Sequence, residues 1–127
     1  MIEIYDRRGY ILLLSIDSDT LQGVRLADAE LNDANLVQVD MRHADLSGAK
    51  LRDADLRLSN LSNANLRGAD LNGADLSKAN LDGADLREAK LLGARLAGTH
   101  LSNATIERKA LLTADSQDAK LENAIIV

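Results

Sequence analysis

The chain has 127 residues, 46% of them hydrophobic, yet its only aromatic residues are two tyrosines, and it contains neither Cys nor Pro. One domain's worth of chain without cysteine excludes disulfides and thiolate chemistry, and suits a reducing cytoplasm. A net charge of −5 argues against nucleic acid or an anionic membrane as a direct partner.

Residues 1–18 form the first predicted unit. "MIEIYD" alternates apolar and polar residues, "RRG" supplies a turn, and "YILLLSI" is a second extended run. This pattern predicts a β-hairpin, expected to cap the adjoining structure and hide its strand edges. The stretch "RRGYILLLSID" superficially resembles a twin-arginine export signal. Its wholly apolar run, Ile11 to Leu14, is too short for such a signal or for a membrane span, and no small-residue cleavage site follows. The expectation is a soluble, cytoplasmic protein.

Residues 19–127 follow a period of five. A step of five on an α-helix would scatter the leucines around its surface, and on a continuous strand it would alternate their faces. The pattern therefore has to be read within each pentad. Of the 22 slots from Leu21 to Ile126, 18 hold Leu, with Met41, Ile106, Ser116 and Ile126 as the others. The slot two before holds Ala in 16 of 21 cases, so both side chains point the same way from an extended segment. The two remaining residues must turn a corner. Seven of the eight glycines fall two residues after a slot, and Asn63, Asn103 and Asn123 occupy equivalent places, as positive φ at the corner requires. The residue before the slot is Asp or Asn 11 times in 21, a side chain able to bond backbone amides at a turn. Short extended sides, apolar inward and separated by corners, describe a solenoid.

Repeats such as "ADLNG", "ANLDG" and "ADLRE" resemble the pentapeptide-repeat family, whose signature is A(D/N)LxX in tandem. The likeness covers roughly residues 19–127. It implies an all-β fold, a right-handed quadrilateral parallel β-helix with four pentads per coil. That handedness agrees with the general preference of parallel crossovers. At an interstrand spacing of about 4.8 Å, about five coils make a rod roughly 25 Å long. A stack of leucine and alanine layers leaves little room for aromatic rings. A similar hairpin precedes the repeats in some proteins of the family.

Toward residue 127 the frame persists while its chemistry slips. Lys109 sits in an alanine slot and Ser116 in a leucine slot. A buried unpaired lysine would be costly, so the backbone near 107–117 is expected to bulge and free it. The closing "LENAIIV" shows no helix, hairpin or charged tail. Leu121, Ile125, Ile126 and Val127, with Leu112 outside the inward slots, are therefore expected to expose an apolar layer. Such a layer invites a two-fold homodimer through the C-terminal ends, an arrangement the family resemblance also implies.

No catalytic, cofactor-binding or metal-binding residue is assigned. The two histidines, His43 and His100, lie about three coils apart and cannot share a metal. The many carboxylates follow from the repeat itself, and the glycines belong to corners rather than to a phosphate loop. The reading is a non-catalytic, rigid scaffold for protein–protein interaction, its protein partner unidentified.

The alternative is suggested by the family's quinolone-resistance members, which bind DNA gyrase with an acidic rod that imitates B-DNA. Duplex DNA carries one charge per about 1.7 Å, so a rod of this length would need on the order of fifteen negative charges. From residue 21 onward, 16 acidic residues oppose 13 basic ones, a net of three. Residues twenty apart should stack. One such column reads Glu30, Lys50, Asp70, Lys90, an alternating ladder; another reads Asn35, Asp55, Asp75, Arg95, Asp115. Asp55 and Asp75, with Asp45 and Asp85 expected on a neighbouring face, form the candidate acidic partner surface. The Phe-filled slots and projecting loops of the gyrase-binding relatives are missing, so that reading ranks second.

Overall fold

A computed structural model describes residues 1–127. Its regular strands are few and short: β1 (Ile2–Tyr5), β2 (Leu12–Ile16), β3 (Thr105–Ile106) and β4 (Ile125–Ile126), with one helix, α1 (Arg108–Thr113). Between β2 and β3 the chain is built from one-residue parallel bridges at a constant offset of twenty, beginning Arg25 to Asp45, Glu30 to Lys50, Asn35 to Asp55 and Asp40 to Asn60. Bridges recurring every five residues, with partners twenty apart, define a coil of four pentads.

From Met41 to Leu96 each pentad settles its backbone groups in the same way, apart from the corner amide of Glu88 and the slot amide of Leu91 beneath α1. The slot amide donates to the next coil, as Leu76 N–H does to Arg95 C=O at 2.9 Å. The corner amide also donates upward, the following residue closes a turn onto the slot carbonyl, and the residue before the next slot donates downward. Four of the five amides thus find carbonyls. The fifth, one residue after the slot, takes the Asp or Asn side chain that precedes the slot: all eleven such residues, from Asn35 to Asp115, accept that bond. The preference for Asp and Asn is an accounting requirement of the backbone.

Corners behave as the sequence predicts. Every position two after a slot from Gly23 to Asn123 has positive φ except Arg108 and Thr113, the two ends of α1. Most of these corners are not glycine, and even Leu58 is held at φ 60°, a conformation costly for a side chain with a Cβ.

Inside, 32 buried residues form one continuous hydrophobic cluster containing every slot from Leu21 to Ile106. Fully burying a leucine contributes about 1.5–3 kcal/mol, so the column is the chief driving term. Polar residues in two alanine slots keep their places by bonding main-chain carbonyls: the Ser59 hydroxyl donates to Leu56 C=O and the Thr99 hydroxyl to Leu76 C=O, each at 2.7 Å.

At the amino end, β1 and β2 pair antiparallel, with Ile2 opposite Ile16 and Ile4 opposite Leu14. The chain after β1 runs along the edge of a coil, where Tyr5 C=O accepts from Asn35 N–H and Arg7 N–H donates to Asp33 C=O, both at 2.8 Å. Ile4 is buried in the core cluster, while Ile2, Leu13, Leu14 and Ile16 pack against it. The carboxylate of Asp6 fixes the hairpin turn by accepting from Tyr10 N–H (2.8 Å) and Ile11 N–H (2.9 Å).

The expected bulge near 107–117 is a helix. In an extended pentad Lys109 would point into the core; on α1 it is exposed, and Ala110 is the buried residue instead. The helix spans two corners, yet the frame closes again with Arg95 bridged to Asp115, His100 to Lys120 and β3 to β4. One ladder position is lost. Lys90 is bridged below to Asp70 but has no bridge to residue 110.

Candidate functional site

The structure does not gather the acidic residues. Asp55 and Asp75 stack as neighbours on one face, bridged directly to each other. Asp45 and Asp85 belong to the column Arg25, Asp45, Asn65, Asp85, Thr105. That column lies ten residues, half a coil, from the first, so the two pairs occupy opposite faces. The expectation of a neighbouring face is corrected: ten residues are two sides of a four-sided coil.

Nor are these carboxylates free. Asp55 takes a two-pronged ion pair from Arg57 at 2.8 and 2.7 Å, and Asp85 from Arg87 at 2.9 and 2.6 Å. The arginine hydrogen bond is the main reason that both carboxyls sit below the ordinary carboxylate value. Asp45 is lowered chiefly by the Ser47 hydroxyl, which donates to it at 2.6 Å. Asp75 accepts from the Ser77 hydroxyl at 2.6 Å and has Arg95 at 3.9 Å. Two of the four charges, those of Asp55 and Asp85, are thus cancelled where they stand, while Asp75 is met only loosely and Asp45 by a neutral hydroxyl.

The alternating column is paired unevenly. Lys50 meets Glu30 at 2.7 Å, but Asp70 is met by Arg52 at 3.4 Å, and Lys90 has no carboxylate within ion-pair distance. His43 forms a corner at φ 63°, and His100 bridges Asn80 and Lys120 on another face. No group of three or more His, Asp or Glu side chains is placed to hold a metal ion, and no helix is long and apolar enough to cross a membrane.

All five apolar residues singled out near the carboxyl end are exposed: Leu112 at 80%, Leu121 at 39%, Ile125 at 54%, Ile126 at 37% and Val127 at 59%. Leu112 and Val127 are brought together, lining one concavity with Glu107, Arg108 and Lys109. Ile126 stands over Ile106 through the β3–β4 pair, and Leu121 follows Lys120 on the His100 column.

Sequence reasoning missed the acceptors that stand in where Asp or Asn is lacking before a slot. Lys50 and Lys90 have no acceptor for the fifth amide's bond and His100 does not take it, so the coil below supplies it. Asn32 accepts from Arg52 N–H at 2.9 Å, Asn72 from Leu92 N–H at 2.9 Å, and Asp82 from Ser102 N–H at 3.0 Å. The signal was an Asp or Asn nineteen residues before the slot, legible only once the girth of the coil is known.

A coil of four pentads with a leucine and alanine interior defines a repeat β-helix, a class that works by its surface. The pentapeptide-repeat family pattern matches in eight copies over residues 21–57, 59–96 and 79–108. The chain belongs to the pentapeptide-repeat family, whose fold is the right-handed quadrilateral β-helix. Among solved structures it is similar to alr5209, a pentapeptide-repeat protein from Nostoc PCC 7120. Identity is 37% over 81% of this chain and 84% of that one, with a TM-score of 0.69. It is also similar to a pentapeptide-repeat protein of the Arabidopsis thaliana thylakoid lumen, at 26% identity over 83% of this chain and 59% of that one, TM-score 0.45. QnrB1, a plasmid-mediated fluoroquinolone resistance protein, is similar at 19% identity over 97% and 71% of the two chains, TM-score 0.44. Comparison with curated protein sequences gave no match.

Proposed function

We propose that the protein is a non-catalytic scaffold for protein–protein interaction. It is a rigid rod of about five coils, capped by residues 1–18 and dimerised through its carboxyl-terminal ends. The observation that carries this reading is the nearly unbroken ladder of twenty-residue bridges, with surface Asp and Asn side chains bonded into it. Side chains fixed in this way present a patterned surface with little entropy left to lose on binding. The pairing of Asp55 and Asp85 with arginines, and the placement of the two acidic pairs on opposite faces, support this reading over DNA mimicry, which needs a continuous acidic stripe.

Dimerisation follows from the exposed layer of Leu121, Ile125, Ile126 and Val127, with Leu112 beside it. Apolar surface beside a free strand edge is covered by a second copy in a closed two-fold arrangement. Light scattering should give about twice the 13.7 kDa chain mass. Ile126→Glu should give the monomer with the same unfolding midpoint extrapolated to low concentration. A wild-type monomer at high micromolar concentration overturns the dimer.

A further inference from the structure

The missing bridge at Lys90 leaves two backbone groups open. Between Val24 and Thr105, each residue two before a slot has its carbonyl taken by an amide of the next coil, with one exception, Ala89. Between Leu26 and Leu101, each slot amide donates to the next coil, with one exception, Leu91. Neither open group meets a side-chain partner. Elsewhere these positions would be filled by the residue twenty further on; here that residue is Ala110, whose amide and carbonyl are used within α1 and its flanks. The open carbonyl of Ala89 and open amide of Leu91 flank Lys90 and face the same way. In a parallel ladder such a pair bonds both main-chain groups of one facing residue.

A groove of about 290 Å³ lies at this place, walled on one side by Lys90, Leu91 and Leu92 and on the other by Lys109, Ala110 and Thr113 of α1. Its charged lining is two lysines and no acid. Lys90 has no ion pair, and the Lys109 side chain is 85% exposed, with its nearest carboxylate, Glu107, at 3.8 Å. Leu92 adds apolar surface, exposed at 64%.

We propose that this groove is a docking site for a short extended segment of a partner protein. The segment pairs in parallel with residues 89–91 and carries acidic side chains alternating with apolar ones. The open carbonyl and amide select extended backbone, the two lysines select carboxylates, and exposed Leu92 accepts the apolar side chains. This deepens the scaffold reading by giving one partner's chemistry. It can fail on its own, since a rod without this groove would still dimerise.

The test is amide hydrogen exchange of the full-length protein, alone and with the amidated heptapeptide Glu-Val-Asp-Leu-Asp-Val-Glu. In the free protein the Leu91 amide should exchange far faster than those of Leu71, Leu76 and Leu81, because its bond is absent. At about 1 mM peptide its exchange should slow by about tenfold, and a counterpart with lysine at the four acidic positions should leave it unchanged. Lys90→Glu with Lys109→Glu should reverse that preference. A Leu91 amide already protected in the free protein would mean that α1 itself fills the gap. Protection that grows with protein concentration would mean that a second copy does. Either result overturns the proposal, as does slowing by neither peptide or by both alike.

Discussion

The coils up to Ile106 and the last turn, 107–127, are written in the same five-residue frame but fold under different constraints. In the first region every slot is buried, every corner turns through positive φ and the ladder is filled apart from Lys90. In the second, one side is helical, Ser116 is only half-buried in its slot, and Leu121 and Ile126 are exposed. A single inward lysine separates them, because no arrangement of an extended pentad keeps Lys109 in water. The comparison teaches that the frame tolerates a lost side as long as the residue count per coil is kept.

The sharpest way to break the comparison is to put a charge into one column at two heights. Leu71, Leu91 and Leu111 are successive members of one column; Leu71 is wholly buried and Leu111 half-buried. Leu71→Lys should cost at least about 4 kcal/mol by leaving a buried charge unpaired. Leu111→Lys, able to reach water, should cost less than half as much. Urea unfolding of both variants checks this, and equal losses would remove the distinction between the regions.

A smaller effect should separate the turn-locking carboxylates. Asp75 accepts from Ser77 N–H at 3.0 Å, whereas Asp115 in the last turn accepts from Gln117 N–H at 3.4 Å. Removing a well-formed bond of this kind leaves a donor unsatisfied, at a cost of about 1 kcal/mol. Asp75→Ala should show that loss in thermal unfolding, and Asp75→Asn, which keeps the acceptor, should show almost none. Asp115→Ala should fall well below Asp75→Ala.

The smallest expected effect is on pH dependence. Asp40, Asp45, Asp55 and Asp85, all in the first region, have carboxyls below their ordinary value, held chiefly by hydrogen bonds from Arg42, Ser47, Arg57 and Arg87 in turn. A carboxyl lowered in the folded state adds stability that is complete above its unfolded value, about 4. That stability is lost as pH falls through the folded value. Urea midpoints should therefore be flat near neutrality and drop below about pH 4, and Asp55→Asn with Asp85→Asn should shallow the drop. The partly exposed ion pairs keep the effect modest.

The amino-acid sequence by itself determined the inward and outward assignment of nearly every residue from 21 to 106. That assignment is local: extended sides place Ala and Leu on one face, and corners demand Gly, Asn or a strained substitute. The hairpin was legible from alternation and turn residues, and the exposure of the terminal apolar side chains from the lack of any covering element in "LENAIIV". The gap beside Lys90 was not, although Lys109 in an inward slot was its signal. The girth of the coil entered the sequence reading only through the family resemblance, and the tertiary structure decided what depends on it. Asp45 and Asp55 are ten residues apart in sequence, and a four-sided turn sets them on opposite faces. The same girth puts Asn72 beneath Leu92, where it supplies the bond that Lys90 cannot. Local stereochemistry fixes where a side chain points. Which side chain it meets one coil away is a property of the closed turn, and no pentad contains that information.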